Sequence, residues 1–345
     1  MIHAAVAGWG MAVPDRVVSN AEIARDLPFD EAWIVERTGI LERRMAGPRD
    51  TTSSLAADAG RRALACAGRR AEELDLVLVA TCTPDRLIPP TAPVVQAALG
   101  ARRAGAFDVG AACAGFVLAL ATADGFIRCG RARTALVIGA EVMSRVTAGS
   151  APKTRILFGD GAGAVLLELS EEPGGLLALE TGADGTAAPL IEVPAGGTAR
   201  PASAETLARG EQWVSMNGPE VFRAAVRVMA EAAERGLAGA GMSAADVDLL
   251  VLHQANQRII DAVGRRLGVP DDRVFSNIAR YGNVSAASIP IALAEAADAN
   301  RLRPGSRLVV SAVGAGLTWA AGVVDWSRER SRTDRGAEAL AGVAG

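Results

Sequence analysis

The chain has 345 residues, of which 50% are hydrophobic, 22% charged and 4% aromatic, and its formal net charge is −3. This length and apolar content allow two domains or one large layered unit, and they exclude disorder over most of the chain. The weak negative charge and the scarcity of aromatic side chains exclude a general binder of polyanions, so we expect no nucleic-acid partner.

The four cysteines, Cys66, Cys82, Cys113 and Cys129, have neither the spacing of a metal site nor the density of a disulfide framework. They are therefore expected to be reduced thiols. The first residues lack the basic and apolar regions of a signal peptide, and no run of about 18 uncharged apolar residues is present. We expect a cytoplasmic protein with no metal and no membrane contact.

Apolar periodicity, caps and glycines predict the elements of the first half. In chain order these are a first strand, a short helix capped at Ser19, a helix over 31–38 ended by Gly39, an amphipathic helix over 52–67, a strand over 74–80, a proline-rich loop over 84–93 leading into a helix near 94–99, and a strand over 135–140. The near-continuous apolar character of the strands is typical of sheets that are covered on both faces.

Residues 173–210, rich in Gly, Pro, Ala and Thr, are predicted to be a domain junction or an irregular excursion. The elements predicted beyond them are helices over 219–237, 259–267 and 285–297, and strands over 246–252, 307–313 and 322–326. Because both halves interleave helices and strands, we infer a duplicated α/β unit. The predicted divisions are 1–172, 173–326 and a disordered tail, 327–345.

Cys113 lies where a strand, a turn of small residues and an apolar helix meet. Unpaired N–H groups and the helix dipole favour an anion at such a position, which predicts a depressed thiol pKa and a nucleophilic sulfur. A lone cysteine is more often a buried structural residue than a nucleophile, so the assignment depends on what the rest of the chain supplies.

Two polar residues and a loop of the second half supply candidate partners. His253 follows a predicted buried strand, where α/β folds place ligands, and the only other histidine is His3. Asn283 lies in a polar turn before an apolar helix, and the loop over 313–319 could present an N–H group to an oxyanion. Taken singly, these features also fit a core histidine, a helix cap and an ordinary turn.

The glycine-rich run over 158–167 precedes a predicted strand rather than a helix. A phosphate-binding loop leads into a helix N-terminus, so that mechanism is missing here. We predict a tight turn at a close crossing of two backbones.

Five collinear motifs resemble the β-ketoacyl-acyl-carrier-protein synthase III family. They are Trp33 with Arg37-Thr38-Gly39-Ile40, the stretch 111–116 around Cys113, 158–163, 253–256, and 282–288 around Asn283. The resemblance extends from the first strand to Trp326. It implies the thiolase fold, an α/β fold with duplicated halves in a five-layered α-β-α-β-α arrangement, and a homodimer.

The resemblance also implies a mechanism and its residues. Cys113 would take an acyl group from acyl-CoA, the substrate, with Trp33 and Arg37 holding the CoA and no cofactor bound permanently. His253 and Asn283 would stabilise the enolate formed by decarboxylation of a malonyl group on acyl carrier protein. The N–H groups of Cys113 and Ala315 would hold the oxyanion of the condensation.

Further residues match family positions that bind the substrates or the carrier protein and that take no part in the catalytic steps. Asn256 falls near the CoA site. The acyl-pocket positions are Ile88, Phe158 and Phe222, and a smaller side chain at Ile88 would admit an acyl group longer than acetyl. The positions for docking the acidic carrier protein are Arg223, Arg258, Arg265 and Arg266. The usual CoA-contacting arginine is displaced, and Lys153 or Arg155 would replace it.

Three other functions fit parts of the sequence. An acyltransferase of the same fold would move an acyl group to a hydroxyl or amine without decarboxylation, against which Asn283 counts. A non-catalytic subunit that binds carrier protein would not need Cys113, His253 and Asn283 together. A cysteine hydrolase would not need Trp33 and Arg37.

Overall fold

The computed structural model describes residues 2–326. Its strands are β1 (His3–Ala12), β2 (Val17–Ser19), β3 (Glu42–Arg44), β4 (Leu76–Ala80), β5 (Gly105–Val109), β6 (Thr134–Val142), β7 (Asp160–Ser170), β8 (Gly175–Ala183), β9 (Ile191–Glu192), β10 (Ser215–Met216), β11 (Leu249–Leu252), β12 (Val274–Phe275), β13 (Arg307–Gly314) and β14 (Thr318–Asp325). The predicted tail, 327–345, lies outside the described residues.

The helices alternate with these strands. They are α1 (Asn20–Ala24), α2 (Glu31–Thr38), α3 (Thr52–Ala67), α4 (Thr91–Leu99), α5 (Gly115–Arg128), α6 (Ser144–Thr147), α7 (Pro152–Arg155), α8 (Ala204–Ala208), α9 (Gly218–Gly239), α10 (Gln257–Leu267), α11 (Ile278–Tyr281) and α12 (Ser288–Asp298). Single 3₁₀ turns over Ala112–Ala114 and Ser285–Ala287 lead directly into α5 and α12. Within residues 2–326, no helix combines the length and the apolar character that a membrane span needs.

Two five-stranded mixed sheets have the same internal plan. The first has the strand order β1-β7-β6-β4-β5 and the second β8-β14-β13-β11-β12. In both, the first three strands are antiparallel neighbours and the last three are parallel neighbours. The inferred duplication is therefore visible in strand order and direction, and the predicted boundary after residue 172 lies between β7 and β8.

The layers follow from which faces are apolar. Helices α5 and α12 lie between the two sheets and share one core with both, α3 and α4 cover the outer face of the first sheet, and α9 and α10 cover that of the second. Phe116 at the start of α5 is fully buried in the shared core. Truncating such a side chain to alanine costs about 3–5 kcal/mol. The predicted five-layered thiolase architecture is confirmed.

Glycines of the first sheet let the second half approach closely. A Cβ on Gly139 of β6 would lie 2.3 Å from the carbonyl oxygen of Ala286, and one on Gly163 of β7 would lie 2.5 Å from the backbone nitrogen of Ile291. Only glycine fits such contacts without a backbone shift. The crossing predicted for 158–167 is therefore confirmed, but the predicted turn is wrong, because Gly161 and Gly163 lie within β7.

Other predicted boundaries also differ from the structure, and three of the differences have a physical reason. Helix α4 begins at Thr91, inside the predicted loop, because Asp108 accepts hydrogen bonds from the first free N–H groups, those of Thr91 and Ala92. The predicted irregular stretch contains β8, an edge strand whose apolar run is diluted by glycines. The last strand begins at Thr318 rather than 322, and β8, not β14, ends the sheet.

Candidate active site

One cavity of about 1460 Å³ brings together residues that are far apart in the sequence. Cys113, His253, Asn283 and Ala315 all line it. Cys113 begins the approach to α5, His253 follows β11, Asn283 precedes the turn into α12, and Ala315 follows β13. The segments after β5, β11, α11 and β13 therefore converge on this cavity, and the predicted candidates meet there.

The sulfur of Cys113 lies in a strained and crowded turn. Ala112, just before it, has φ of 45°, in the left-handed region that alanine rarely adopts. The Sγ atom donates a hydrogen bond of 3.4 Å to the hydroxyl of Ser285. Strain of this kind is typical of functional turns, where the surrounding structure holds a residue in place.

The expected depression of the Cys113 pKa is wrong. Burial raises the pKa of this thiol to about 12, a hydrogen bond with Ser285 opposes the rise, and the nearby carboxylate of Glu141 adds to it. The hydrogen bonds of the sulfur with Ser285 and with the backbone favour the thiolate, but removing the sulfur from water outweighs them. The thiol is therefore protonated in the free site at neutral pH.

Asn283 is held so that its amide hydrogens remain free for a ligand. Its Oδ1 accepts a hydrogen bond of 2.8 Å from the backbone N–H of Ser285, which orients the NH₂ group away from that turn. Its own backbone is paired on both sides, with the carbonyl of Leu157 at 2.8 Å and the N–H of Gly159 at 3.1 Å. The residue is 6% exposed and lines the cavity, so it can donate into it.

His253 is a neutral imidazole in this site. Its Nδ1 lies 2.7 Å from the hydroxyl oxygen of Ser288, and burial lowers its pKa to about 4. A neutral imidazole carries one N–H group, and the Ser288 contact engages Nδ1. The geometry therefore leaves Nε2 for the cavity, where it can serve as a hydrogen-bond donor.

The loop after β13 lies directly against the nucleophile turn. A Cβ on Gly314 would lie 2.6 Å from the backbone nitrogen of Cys113 and 2.9 Å from the carbonyl oxygen of Ala111. This contact requires glycine and brings Ala315 beside Cys113. Cys113 and Ala315 both line the cavity, and backbone N–H groups from adjoining turns are the usual components of an oxyanion hole.

An aromatic and cationic cluster lies on another part of the cavity wall. Trp33 stacks on Phe29 with ring centroids 4.3 Å apart, and the guanidinium of Arg37 lies 5.9 Å from the Trp33 ring. Asn256 caps α10 and donates a 2.9 Å hydrogen bond to the carbonyl of Arg37. This contact ties α2 to the segment after His253. Asn256 is therefore engaged locally as well as lining the cavity.

The remaining predicted positions divide into two groups. Phe158, Phe222, Arg223, Arg258 and Lys153 line the cavity. Arg265 and Arg266 lie in the last turn of α10, where Arg266 pairs with Glu231 at 3.3 Å. Arg155 is not among the lining residues.

Ile88 is a correction. It is 86% exposed and lies outside the cavity of this chain, so within one chain it lines no acyl pocket. The physical reason is that the loop containing Leu87 and Ile88 projects away from the body, and apolar side chains there lack a cover in the single chain.

Comparison with known proteins decides the family. A model described as 3-oxoacyl-[acyl-carrier-protein (ACP)] synthase III matches residues 107–185, and its C-terminal counterpart matches residues 237–326. A β-ketoacyl-[acyl-carrier-protein] synthase III of Roseiflexus castenholzii is 52% identical over 324 residues, covering 94% of this chain and 98% of that protein. The chain belongs to the β-ketoacyl-acyl-carrier-protein synthase III family.

Solved structures of synthase III proteins agree with this assignment. The enzyme from Aquifex aeolicus is 40% identical with a TM-score of 0.87, covering 94% of this chain and all of that one. The priming β-ketosynthase of the R1128 polyketide biosynthetic pathway is 36% identical with a TM-score of 0.88, covering 95% and 97% of the two chains. The resemblance inferred from the five motifs is confirmed.

Four polar residues of this synthase III site were missed by sequence reasoning: Ser285, Ser288, Glu141 and Cys82. The two serines lie inside a motif in which only Asn283 was singled out. Glu141 is the only charged residue of the buried strand β6, which is a signal that sequence alone carries. Within residues 2–326, no group of three or more His, Cys, Asp or Glu residues could hold a metal ion.

Proposed function

We propose that this chain catalyses the decarboxylative condensation of an acyl-CoA starter with malonyl-acyl-carrier protein, which initiates a fatty-acid or polyketide chain. The observation that carries the proposal is the meeting of a thiol, Cys113, with two neutral donors, His253 and Asn283, in one cavity. Condensing chemistry needs a nucleophile that holds one acyl group and donors that stabilise an enolate on the other.

In the first half-reaction the sulfur of Cys113 attacks the thioester carbonyl of acyl-CoA. The carbonyl oxygen becomes an oxyanion next to the N–H groups of Cys113 and Ala315. The bond between the carbonyl carbon and the CoA sulfur then breaks, which leaves an acyl-Cys113 thioester and CoA. Removing one preorganised donor of this kind costs about 10²–10³ in rate.

In the second half-reaction a malonyl thioester on the carrier protein occupies the same cavity. The malonyl C–COO⁻ bond breaks, CO₂ leaves, and the electron pair forms an enolate whose oxygen accepts hydrogen bonds from His253 and Asn283. The enolate carbon attacks the acyl carbonyl, and the bond between the acyl carbon and the Cys113 sulfur breaks with its electron pair on the sulfur. A proton from solvent then restores the thiol. The product is a β-ketoacyl-carrier protein.

The cations along the cavity wall support binding of phosphorylated and acidic partners. Arg37, Lys153, Arg223 and Arg258 line the cavity, and the one carboxylate among its described lining residues is Glu192. In the proposed complex Trp33 and Arg37 hold the adenine end of CoA, with Lys153 in the place of the displaced arginine. Arg223, Arg258, Arg265 and Arg266 lie towards the acidic carrier protein and set its rate of encounter.

A homodimer is also part of the proposal. β5 is one of the two edge strands of its sheet, and Phe107 on it is partly exposed beside Phe126 of α5, with ring centroids 6.0 Å apart. Leu87 and Ile88 are 84% and 86% exposed. An uncovered apolar edge of this kind favours pairing with a second copy. In the dimer, Ile88 would contribute to the acyl pocket of the partner.

The test is to incubate the protein with a panel of acyl-CoAs and to measure the adduct on Cys113 by intact mass and peptide mapping. Malonyl-acyl-carrier protein is then added and CO₂ is measured. The proposal expects loss of the adduct with one CO₂ released per acyl group. Stable acylation without CO₂ release would overturn it and favour acyl transfer to a hydroxyl or amine, whereas rapid loss of the adduct to water would favour a hydrolase.

A further inference from the structure

An unbroken line of hydrogen bonds runs from the sulfur of Cys113 to a buried carboxylate. The Cys113 thiol donates to Ser285 Oγ at 3.4 Å, and that hydroxyl lies 3.5 Å from the sulfur of Cys82. The Cys82 thiol in turn donates to Oε1 of Glu141 at 3.2 Å. Each link has a group that can both donate and accept a proton, which is what proton transfer along a chain requires.

The surroundings of Glu141 suit a proton acceptor, because the carboxylate contacts neutral hydrogen-bond donors and forms no ion pair with them. The residue is fully buried, and its carboxylate accepts hydrogen bonds from neutral groups, the hydroxyls of Thr81 and Thr83, the thiol and N–H of Cys82, and the N–H of Ala286. Burial raises the pKa of this carboxyl above its ordinary value, and the hydrogen bonds limit the rise. A carboxylate with a raised pKa is a stronger base.

The first half-reaction needs such a base. The pKa of the Cys113 thiol is raised to about 12, so the proton must leave during the attack. His253 is a poor acceptor because burial lowers its pKa to about 4, and its Nδ1 already contacts Ser288. The amide of Asn283 cannot take a proton at all.

We propose that Glu141 is the general base for acylation of Cys113, acting through Ser285 and Cys82. The Cys113 proton passes to the Ser285 oxygen, the Ser285 proton to the Cys82 sulfur, and the Cys82 proton to the Glu141 carboxylate. The freed sulfur attacks the thioester, and the departing CoA sulfur takes up the proton that the relay returns. The protein therefore ends with one proton fewer, the former Cys113 proton, which leaves on the CoA thiol, and Glu141 is a carboxylate again. This inference rests on the proposed function.

The test measures the acylation half-reaction by itself, as the rate of acyl-Cys113 formation in rapid-quench mass spectrometry. We expect Cys82→Ala to lower this rate at least 10-fold and Glu141→Gln to lower it about 10²-fold, within the range of general-base catalysis. Cys82→Ser keeps a proton-conducting hydroxyl and should recover most of the loss seen in Cys82→Ala. Cys129→Ser and Glu168→Gln are matched controls outside the relay.

A merely structural role predicts different behaviour. The wild-type acylation rate should rise with pH through the raised pKa of Glu141 and should show a solvent deuterium isotope effect, and both should vanish in Glu141→Gln. Equal rates in Cys82→Ala and Cys82→Ser, or an unchanged pH profile in Glu141→Gln, would overturn the relay. Should Glu141→Gln fail to fold by circular dichroism, the two Cys82 variants and Ser285→Ala decide the question.

Failure of the relay is distinguishable from failure of the proposed function. Alkylation of Cys113 by iodoacetamide needs the same loss of a proton without any acyl-CoA, so Cys82→Ala should slow it as well. The condensation step is followed separately, by adding malonyl-acyl-carrier protein to isolated acyl-enzyme. Absence of CO₂ release there contradicts the proposed function, whereas unslowed alkylation of Cys113 in Cys82→Ala contradicts the relay.

Discussion

The hydroxyl oxygen of Ser288 lies 2.7 Å from Nδ1 of His253, and the backbone N–H of Gln254 donates to the same oxygen at 3.3 Å. Donation to the enolate by Nε2 requires the tautomer in which the Ser288 hydroxyl donates to Nδ1 and the single N–H of the neutral ring lies on Nε2. The proposed function therefore predicts this direction for the Ser288–His253 hydrogen bond.

Ser288→Ala should therefore disturb the tautomer of His253. The chain has only two histidines, His3 and His253, so ¹⁵N-histidine NMR resolves both rings. We expect a protonated Nε2 in the wild type and a mixture of tautomers in the variant. Condensation should be about 10-fold slower, which is a smaller loss than that from removing one hydrogen-bond donor completely. Ser203→Ala, which alters a cap on the distant helix α8, is the control. A protonated Nδ1 in the wild type would contradict this reading.

The buried imidazole predicts a loss of stability in acid. In the folded chain the pKa of His253 is about 4, whereas an unfolded histidine has a pKa of about 6.5, so the unfolded state binds the extra proton between these values. The contribution of His253 to the free energy of unfolding should therefore be constant above about pH 6.5. On going from pH 7 to pH 5, this contribution should lower the free energy of unfolding by about 2 kcal/mol.

Urea unfolding at pH 7 and pH 5 measures this fall. His253→Gln removes the titrating group and should show a smaller decrease than the wild type by about the same 2 kcal/mol. Because both proteins share every other titrating side chain, the difference isolates His253. Equal decreases in the two proteins would show that His253 is not held neutral by the fold.

Gly314→Ala should damage the oxyanion hole with little effect on the distant fold. The new Cβ would lie 2.6 Å from the backbone nitrogen of Cys113, so the two segments must separate. We expect kcat to fall about 10²-fold, the loss of one donor. Gly125→Ala, on α5 with open space around it, is the control. Near-normal kcat in Gly314→Ala, with thermal unfolding unchanged, would argue against a role for this contact.

The exposed loop residues Leu87 and Ile88 predict a concentration-dependent assembly. Ile88→Asp places a charge in the proposed contact between copies, and we expect it to shift the chain from dimer to monomer in sedimentation velocity. Leu207→Asp, at an exposed apolar position on α8, is a matched control. A monomeric wild type, or a variant that dimerises as tightly as the wild type, would contradict the proposed homodimer.

Local patterns predicted much of this molecule. The helix over 52–67 has the predicted bounds, since Thr51 caps it and Gly68 ends it with φ of 65°. His253 follows a strand as expected, because four consecutive apolar residues, Leu249 to Leu252, precede the first polar one. Strand-to-helix junctions can be predicted from the sequence because both the spacing of apolar residues and the size of the side chains change there.

The properties that failed depend on contacts between distant segments. The pKa of Cys113 was misjudged because the burial of its sulfur and the proximity of Glu141 depend on the packing of distant segments. The start of the helix, by contrast, can be predicted from the sequence. Ile88 was misplaced because its residue type does not reveal that the loop around it projects away from the body of the chain. Ser285 and Cys82 are 203 residues apart, and no spacing rule connects them.

Single-turnover release of CO₂ from malonyl-acyl-carrier protein by isolated acyl-enzyme measures whether Asn283 donates to the enolate. Asn283→Asp keeps the Oδ1 contact to the N–H of Ser285 but loses the NH₂ donor and adds a negative charge. We expect the variant to form acyl-Cys113 and to release CO₂ at least about 10²-fold more slowly than the wild type. Release of CO₂ at the wild-type rate would show that Asn283 is not a donor to the enolate.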